Sequence, residues 1–380
     1  MIVQVTGAST RNKGAELMLA AVRDHFRVPD SDVTLAVTPW FGSVRDRLKY
    51  NLAQKLEWNR WGRTRLGMRM TSGAFRRSLG MYEDADLDAV IDISGFAFGD
   101  QHPPHRTVQF ARRVDDWKAQ NKKVVLLPQA FGPFENSVIR TAFGRLVDRC
   151  DLICVRDQTS FDHITGHFGQ RENLMQCPDI TIGMLSGHET RSAASGVLVV
   201  PNTRMVDKAD TAKAKRYIPL LQSCIRTAQG ASHAVRLLLH DAIEDQKLVP
   251  RIQSGLERRV EVIEESNPLV LQQIISRSVL LIGSRFHALV SALSSGVPVL
   301  VTGWSHKYEM LLKDFGCPDS VVDPAEADDV LREKVQLHLK AEFQESMRKK
   351  LLPTRTSMVA TIEKMWQRVD AIIGWESPCA

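Results

Sequence analysis

This sequence has no long apolar run and no paired cysteine motif, and both absences narrow the classes of protein to consider. No apolar stretch approaches the roughly 20 residues that a membrane-spanning helix needs. Met1 is followed at once by a strand pattern over residues 2–6, so we expect no signal peptide. The six cysteines show neither disulfide nor zinc spacing. These absences predict a cytoplasmic protein without a bound metal.

Signatures of nucleotide and nucleic-acid binding are also weak or missing. Gly7 and Gly14 follow the first strand but lie too far apart for G-x-G-x-x-G, so a dinucleotide site has little support. No nucleic-acid-binding motif, internal repeat or heptad pattern is present. We therefore expect no nucleic-acid partner.

What the sequence does contain is a regular alternation of short apolar strands and amphipathic helices. Such strands are typical of parallel sheets that are covered on both faces. The length of 380 residues suggests two domains, each with its own core. We predict an α/β fold with Rossmann-like domains at residues 1–186 and 196–350, a linker at 187–195, and a C-terminal helix and tail at 351–380. The helix is expected to pack back across both domains.

Residues 279–307 contain the strongest candidate for a binding site. A buried strand ends at Gly283, and Ser284, Arg285, Phe286 and His287 lead directly into a helix. A helix N-terminus presents free backbone N–H groups and a positive dipole end, and this one adds an arginine and a histidine. The arrangement predicts a site for a phosphate or carboxylate. The alternative is that Arg285 forms a salt bridge and His287 is a buried structural histidine.

Further candidates follow strands of the first domain, where the carboxyl ends of parallel strands bind ligands. Gly95 allows close approach of a ligand, and Asp100 is a candidate base unless it caps the next helix. Arg156 places a cation after another strand, with a nearby carboxylate as its alternative partner. Lys307 adds a positive charge beyond the strand at residues 297–301.

The net charge of +6 is concentrated in one segment. Between Arg45 and Arg77 lie ten lysines or arginines against only Asp46 and Glu57, interleaved with aliphatic residues and tryptophans. Such a segment could meet nucleic acid, an anionic membrane surface or an acidic substrate. The alternative is a solvated basic face over a local core.

Taken together and in order, several motifs resemble the polysaccharide pyruvyl transferase family. The matching stretches extend from near residue 1 to about residue 316: Asn12-Lys13-Gly14-Ala15-Glu16, Ser94-Gly95 through Asp100, Leu127-Pro128-Gln129-Ala130-Phe131-Gly132-Pro133, Val155-Arg156-Asp157 with Ser160, Pro178-Asp179, Ser284-Arg285-Phe286-His287-Ala288, Gly296-Val297-Pro298 and His306-Lys307. Each motif alone is weak, but the ordered set is specific. The basic insert at about residues 41–82 has no counterpart in this resemblance.

The resemblance implies a fold similar to the GT-B glycosyltransferases, with two Rossmann-like domains facing each other across a cleft. It also implies phosphoenolpyruvate as donor, a sugar hydroxyl pair as acceptor, a pyruvate ketal as product and no separate cofactor. Arg285 and His287 match the family's donor-binding positions, and Arg156 is a further candidate. The remaining candidate substrate-binding residues are Asn12, Glu16, Gly95, Ser284 and Lys307, with His287 and Asp100 as catalytic candidates.

Two other functions compete with this interpretation. One is a nucleotide-sugar glycosyltransferase on the same fold, for which Glu309 is a candidate ribose-binding carboxylate. The other is a non-catalytic glycan- or membrane-binding protein. Because the family's acceptors are often polyprenyl-diphosphate-linked, residues 45–77 are expected to hold the protein at the inner face of the membrane.

Overall fold

The fold is described from a computed structural model that covers residues 1–29, 31–57, 72–185, 196–207, 211–303 and 307–376. The predicted linker at 187–195, His306 of the last motif and residues 58–71 of the basic segment lie outside these described residues. The chain divides into two compact units. The first contains Met1–Arg11, Met18–Ile180 and Thr361–Ala380, and the second contains Asn12–Leu17 and Thr181–Ala360.

The first unit is built on a parallel sheet of eight strands in the order β4-β3-β2-β1-β5-β6-β7-β8. The strands are β1 (Ile2–Thr6), β2 (Thr34–Val37), β3 (Ala53–Lys55), β4 (Met81–Tyr82), β5 (Ala89–Asp92), β6 (Lys123–Gln129), β7 (Leu152–Val155) and β8 (Leu174–Gln176). The order reverses between β1 and β5, and ligands of open α/β sheets bind at such a switch point.

Helices flank this sheet, and local caps define where several of them begin. They are α1 (Lys13–Phe26), α2 (Val44–Lys49), α3 (Gly73–Ser78), α4 (Pro104–Ala119), α5 (Ser137–Arg149) and α6 (Gln158–Phe168). Asn136 accepts hydrogen bonds from the first turn of α5, and Asp157 accepts one from Ser160 in α6. Trp117, Phe131 and Phe143 lie in the core beneath them.

The basic insert does more than interrupt the alternation of strands and helices, because its described part extends the sheet. β3 pairs with β2, and β4 pairs with β3, both in parallel. Lys55 of β3 is almost fully buried, and its charge is paired with Asp84 at 3.1 Å. The exposed fraction is 74% for Leu48 and 55% for Phe75. The segment therefore has its own structural role as well as an apolar surface.

The second unit has a parallel sheet of five strands in the order β11-β10-β9-β12-β13. The strands are β9 (Val197–Val200), β10 (Val235–Leu239), β11 (Glu261–Glu264), β12 (Leu280–Gly283) and β13 (Val299–Val301). Numbered within the unit, this is the 3-2-1-4-5 order of a Rossmann sheet, with its switch point between β9 and β12. Tyr217, Leu221 and Leu237 belong to its core.

The helices of the second unit complete the described elements. They are α7 (Arg204–Asp207), α8 (Thr211–Gly230), α9 (Ala242–Asp245), α10 (Val249–Gln253), α11 (Pro268–Ser276), α12 (Phe286–Ser294), α13 (Lys307–Asp314), α14 (Asp328–Leu339) and α15 (Ala341–Ile373). In the part of the chain that the structure describes, no helix combines the length and apolar character needed to cross a bilayer.

The C-terminal helix α15 is longer than predicted, because it begins at Ala341 and continues through Pro353. Its residues up to Ala360 belong to the second unit, and those from Thr361 belong to the first. In the first unit, Trp366 stacks on the ring of His25 at a centroid distance of 4.0 Å. His25 Nε2 also lies 2.8 Å from the carboxylate of Asp370. An aromatic and charged contact thus fixes the end of the helix to α1.

Candidate functional site

The candidate site of the second unit lies at the switch point of its sheet, just beyond the ends of β9 and β12. Ser284 follows β12 and is fully buried. Its Oγ lies 3.1 Å from the hydroxyl of Tyr217 and 2.5 Å from Oγ1 of Thr302, and its carbonyl accepts a hydrogen bond from Asn202 at 2.6 Å. These bonds join β9, β12, β13 and α8 at one point. Ser284 therefore supports the turn on which its neighbours stand.

Arg285 occupies the position before the first turn of α12 and is held by a carboxylate. Its Nε and Nη2 donate to the two oxygens of Asp245 at 2.9 and 2.5 Å, and Asp241 lies 3.7 Å away. Burial lowers the pKa of Arg285, but Asp245 and Asp241 outweigh it, so the pKa is raised and the guanidinium stays charged. The salt bridge that was the alternative for Arg285 is thus formed, and it fixes the guanidinium at the edge of the sheet.

Asp245, which the sequence analysis did not identify, is itself rigidly placed. Its side chain is fully buried and accepts hydrogen bonds from the backbone N–H groups of Thr203 and Asp241, each at 3.1 Å. The hydroxyl of Thr203 adds a third at 3.2 Å. The carboxylate therefore receives donors from the loops after β9 and β10 as well as from Arg285. Asp241 and Asp245 follow an apolar strand four residues apart, but nothing local in the sequence links them to Arg285.

His287 lies in the first turn of α12, and its ring packs against the backbone of Gly14. A Cβ atom on Gly14 would lie 2.1 Å from Nδ1 of His287, so only glycine fits there without moving the ring. Gly14 belongs to the short segment Asn12–Leu17 of the second unit. The first glycine-containing turn of the chain thus contributes to the environment of His287.

A second histidine, His240, follows β10 in the same region. Burial lowers the pKa of His240 well below its usual value, and the nearby Arg285, His287 and Lys13 lower it further. His240 is therefore neutral at physiological pH. It is a further polar residue at this edge that sequence reasoning did not select.

Two other predicted residues have local partners at the start of α1. The side-chain oxygen of Asn12 accepts a hydrogen bond from the N–H of Gly14 at 3.0 Å. Glu16 is buried and paired with Lys13 at 2.6 Å. Both residues shape the turn, and through Gly14 they help to set the position of His287.

Lys307, at the start of α13, lies close to the turn that contains Arg285. Its Nζ is 5.5 Å from the ring centre of Phe286 and 5.3 Å from that of Tyr308. Tyr308 in turn donates a hydrogen bond to the carbonyl of Ser284 at 2.9 Å. The second unit thus brings Ser284, Arg285, His287 and Lys307 to one edge of its sheet.

In the first unit, the switch point between β1 and β5 is closely packed. A Cβ on Gly7 would lie 2.5 Å from the hydroxyl oxygen of Ser94, and Gly95 has a φ of +72°, which favours glycine. Asp92 at the end of β5 accepts hydrogen bonds from Thr6, Ser94 and Gln129. Burial raises the pKa of Asp92, although these hydrogen bonds oppose the increase. Asp92 was not selected from the sequence, because an acidic residue that ends an apolar strand gives no sign of a functional role.

Asp100 does not cap α4, the next helix, where Pro103 is the N-cap and no side chain caps the turn; it binds a loop instead. Its carboxylate accepts hydrogen bonds from the backbone N–H groups of Phe134, Glu135 and Asn136 at 2.6, 3.1 and 2.8 Å. Those bonds order the loop that leads into α5. Asp100 therefore stabilises this loop, and its carboxylate is already occupied by three donors.

Arg156, after β7, donates to Asp179 at 3.2 Å, and both side chains are almost fully buried. This is the nearby carboxylate that the sequence analysis gave as an alternative partner. Gly95, Asp100 and Arg156 are the predicted site residues within the first unit. Among the described residues, no group of three or more histidines, cysteines or acidic residues could hold a metal ion.

Solved structures with the same architecture define the class of fold. MnaA of S. aureus with UDP has a TM-score of 0.62 at 11% identity and covers 99% of this chain and 98% of its own. Anabaena HepE with UDP-glucose has a TM-score of 0.58 at 14% identity and covers 97% and 99%. MurG of Acinetobacter baumannii has a TM-score of 0.51 at 12% identity and covers 96% and 99%. The fold is therefore GT-B-like, with two Rossmann-like parallel sheets.

The sequence itself assigns the family. The model of the polysaccharide pyruvyl transferase family matches residues 12–306, most of the chain, so this protein belongs to that family and is a transferase enzyme. A search of curated proteins finds no significant match. The resemblance drawn from the ordered motifs is thereby confirmed.

Proposed function

We propose that this enzyme transfers the pyruvyl group of phosphoenolpyruvate onto two hydroxyls of a cell-surface polysaccharide or its lipid-linked precursor. The supporting observation is the cationic edge of the second sheet, where Arg285 and His287 meet the N-terminus of α12 and Lys307 lies close by. Phosphoenolpyruvate carries a phosphate and a carboxylate. Guanidinium groups and helix N-termini are well suited to such anions.

The reaction balances without an additional reactant. A proton added to the methylene carbon of the donor makes it a methyl group and leaves an oxocarbenium-like centre at C2. One sugar hydroxyl attacks this carbon, the bond from C2 to the phosphate oxygen breaks, and the second hydroxyl then closes the ketal. Of the two protons released by the hydroxyls, one balances the proton gained by the methyl group and the other leaves with phosphate.

In this scheme, Arg285 holds the donor with its remaining nitrogen, since Nε and Nη2 are already bonded to Asp245. The positive end of the α12 dipole faces the same ligand in this proposal, and Lys307 adds a positive charge. His287 either delivers the proton or hydrogen-bonds to the phosphate, because imidazole suits both roles. No cofactor is needed beyond the donor substrate.

The remaining predicted residues have supporting roles in the proposal. Asn12 and Glu16 shape the turn against His287, and Ser284 holds the turn of Arg285. Gly95 and Arg156 are proposed to contribute from the first unit. Asp100 is retained only as an alternative base, since its carboxylate is occupied by three backbone donors.

Phosphate release tests this function directly. Pure protein is incubated with phosphoenolpyruvate and a panel of lipid-linked or nucleotide-linked sugars, and phosphate is measured over time. Arg285→Ala and His287→Ala are each expected to abolish release. Arg332→Ala and His233→Ala remove the same side-chain types elsewhere in the second unit and serve as matched controls. Near-normal rates in both site variants would show that the site is wrongly assigned.

The principal alternative is a nucleotide-sugar glycosyltransferase, because two of the similar structures were determined with UDP or UDP-glucose. Thermal-shift measurements separate the two functions, since a ligand that binds only the folded protein raises its melting temperature. Stabilisation by phosphoenolpyruvate and not by UDP supports the pyruvyl transferase. The reverse pattern supports the glycosyltransferase. No response to either ligand, together with no phosphate release, would favour the non-catalytic binding protein.

We also propose that the basic segment 45–77 contacts an anionic membrane surface, where a polyprenyl-diphosphate-linked acceptor would be found. The support is the exposure of Leu48 and Phe75 beside the cations of α2 and α3. Deleting the segment would remove β3 from the sheet, so Leu48→Ser with Phe75→Ser is the sharper perturbation. Co-sedimentation with anionic vesicles measures this contact. The proposal is wrong if the double variant sediments as the wild-type protein does and salt has no effect.

A further inference from the structure

The first unit contains a cavity of about 700 Å³ that the proposed reaction does not use. It is open to solvent and is lined by the end of α1, the end of α2 and the first residues of β2 and β3. In the sheet register, Ala36 pairs with Ala53, so Thr34 and Leu35 of β2 extend beyond the start of β3. The volume is in the range of small-molecule sites.

The charge on the walls of this cavity is of one sign. Arg23, Arg27 and Lys49 line it, and no acidic side chain does so within the described part of the chain. Arg23 lies over the ring of Tyr50 at 5.4 Å, and Lys49 lies over the same ring at 4.9 Å. Tyr50 thus brings two of the three cations together.

The partners of Arg23 leave much of its hydrogen-bonding capacity unused. Among the described residues, its ion-pair partner is the exposed Asp24, at 3.7 Å. Its Nε is buried and donates to no acceptor among the described residues. A buried donor without an acceptor is unfavourable, and an anion in the cavity would relieve it.

The cavity is separate from the candidate residues of the first unit. It lies where β2 and β3 begin, whereas Gly95 and Arg156 follow the ends of β5 and β7. In a parallel sheet these positions lie at opposite ends of the strands. The cavity is therefore a different site from the one that Gly95 and Arg156 were predicted to form.

We propose that this cavity is a binding site for a phosphate or diphosphate group. Two guanidinium groups and an ammonium group supply the charge, and arginine matches phosphate oxygens with two parallel N–H bonds. Phe26, Leu35 and Leu52 provide an apolar floor for an organic portion attached to the phosphate. A free phosphorylated metabolite and an anionic lipid headgroup share this chemistry.

The test measures calorimetric binding of inorganic pyrophosphate to the full chain carrying Arg285→Met with Asp245→Asn, which removes the principal cation of the candidate donor site without leaving a buried charge unpaired. In that background, Arg27→Ala with Lys49→Ala is expected to weaken binding by about tenfold or more. Both side chains are exposed, so their loss does not endanger folding. Arg45→Ala is the matched control, because it removes a positive charge from α2 but does not line the cavity.

Co-sedimentation with phosphatidylcholine vesicles, with and without phosphatidylglycerol, distinguishes the source of the phosphate. Loss of pyrophosphate binding alone in the double variant supports a free phosphorylated ligand. Loss of both pyrophosphate binding and phosphatidylglycerol-dependent sedimentation supports a lipid headgroup. The proposal is overturned if the double variant binds pyrophosphate as tightly as its parent, or if Arg45→Ala weakens binding equally.

Discussion

The ion pair between Asp245 and Arg285 makes the sharpest stability prediction, because both groups are held away from water. The exposed fraction is 15% for the side chain of Arg285 and 0% for that of Asp245. Asp245→Asn keeps the shape of the side chain but removes its charge. The guanidinium then loses its carboxylate partner, and the N–H groups of Thr203 and Asp241 face a neutral amide.

The expected cost follows from the burial of the pair. Removing one partner of a buried ion pair costs about 3–5 kcal/mol, since the other charge stays desolvated. Asparagine retains one acceptor oxygen, so we expect a loss of about 2–3 kcal/mol in the free energy of unfolding. Urea denaturation followed by circular dichroism measures this change. Arg285→Met added to Asp245→Asn should recover part of the loss, because no unpaired charge then remains.

Asp241 provides the matched control for this prediction. It lies 3.7 Å from the same guanidinium, but its side chain is 21% exposed, so the interaction is weakened by solvent. Asp241→Asn should therefore cost less than about 1 kcal/mol. The reasoning would be refuted if Asp245→Asn were as stable as the wild-type protein. It would also be refuted if Asp245→Asn with Arg285→Met were no more stable than Asp245→Asn alone.

Three further predictions concern individual residues. Gly14→Ala should displace the ring of His287 and reduce phosphate release towards the level of His287→Ala, whereas Gly166→Ala, where a Cβ meets no atom within 4 Å, should leave it unchanged. Asp100→Ala should lower the free energy of unfolding by about 1–2 kcal/mol through the loss of its hydrogen bonds to the loop before α5, and abolished activity at unchanged stability would instead indicate a catalytic base. For His240, whose pKa is lowered in the folded state, stability is retained above the ordinary histidine pKa of about 6.5 and is lost as the pH falls below it. His240→Gln should therefore lose less free energy of unfolding than the wild-type protein between pH 7 and pH 5, as measured by urea denaturation. An equal loss in the two proteins would contradict the assignment.

The larger strands could be predicted from sequence because each is a short, mostly apolar segment. Ile2–Thr6, Ala89–Asp92 and Leu152–Val155 are examples, and all lie in the interior of the first sheet. β3 and β4 were missed because two or three residues in a basic segment carry no periodic signal. Their position in the sheet depends on pairing with β2, which is a tertiary property.

The start of the C-terminal helix could not be predicted from local sequence preference. The final helix was expected within residues 351–380, and a proline in a helix interior removes a hydrogen bond and clashes with the preceding turn. In the structure, α15 continues through Pro353 from Ala341. Packing of Leu352 and Arg348 close to Gly296 accompanies this continuation. Tertiary packing has therefore overridden the local preference.

Only some residues of the candidate site could be predicted from the sequence. Arg285 and His287 could be selected because they are neighbours at a strand-to-helix turn. Asp245 could not, since it lies 40 residues away and meets Arg285 only through the strand order of the second sheet. The contact of Gly14 with His287 spans a still longer separation and depends on the fold. Local patterns thus identified the cation but not the residues that hold it.

The central claim is that the cationic edge of the second sheet binds phosphoenolpyruvate. Calorimetric titration of the pure protein with phosphoenolpyruvate, and separately with UDP, tests it most directly. We predict saturable binding of phosphoenolpyruvate that is lost in Arg285→Ala and kept in Arg332→Ala, with no binding of UDP. Binding of UDP without phosphoenolpyruvate, or phosphoenolpyruvate binding that is unchanged in Arg285→Ala, would contradict it.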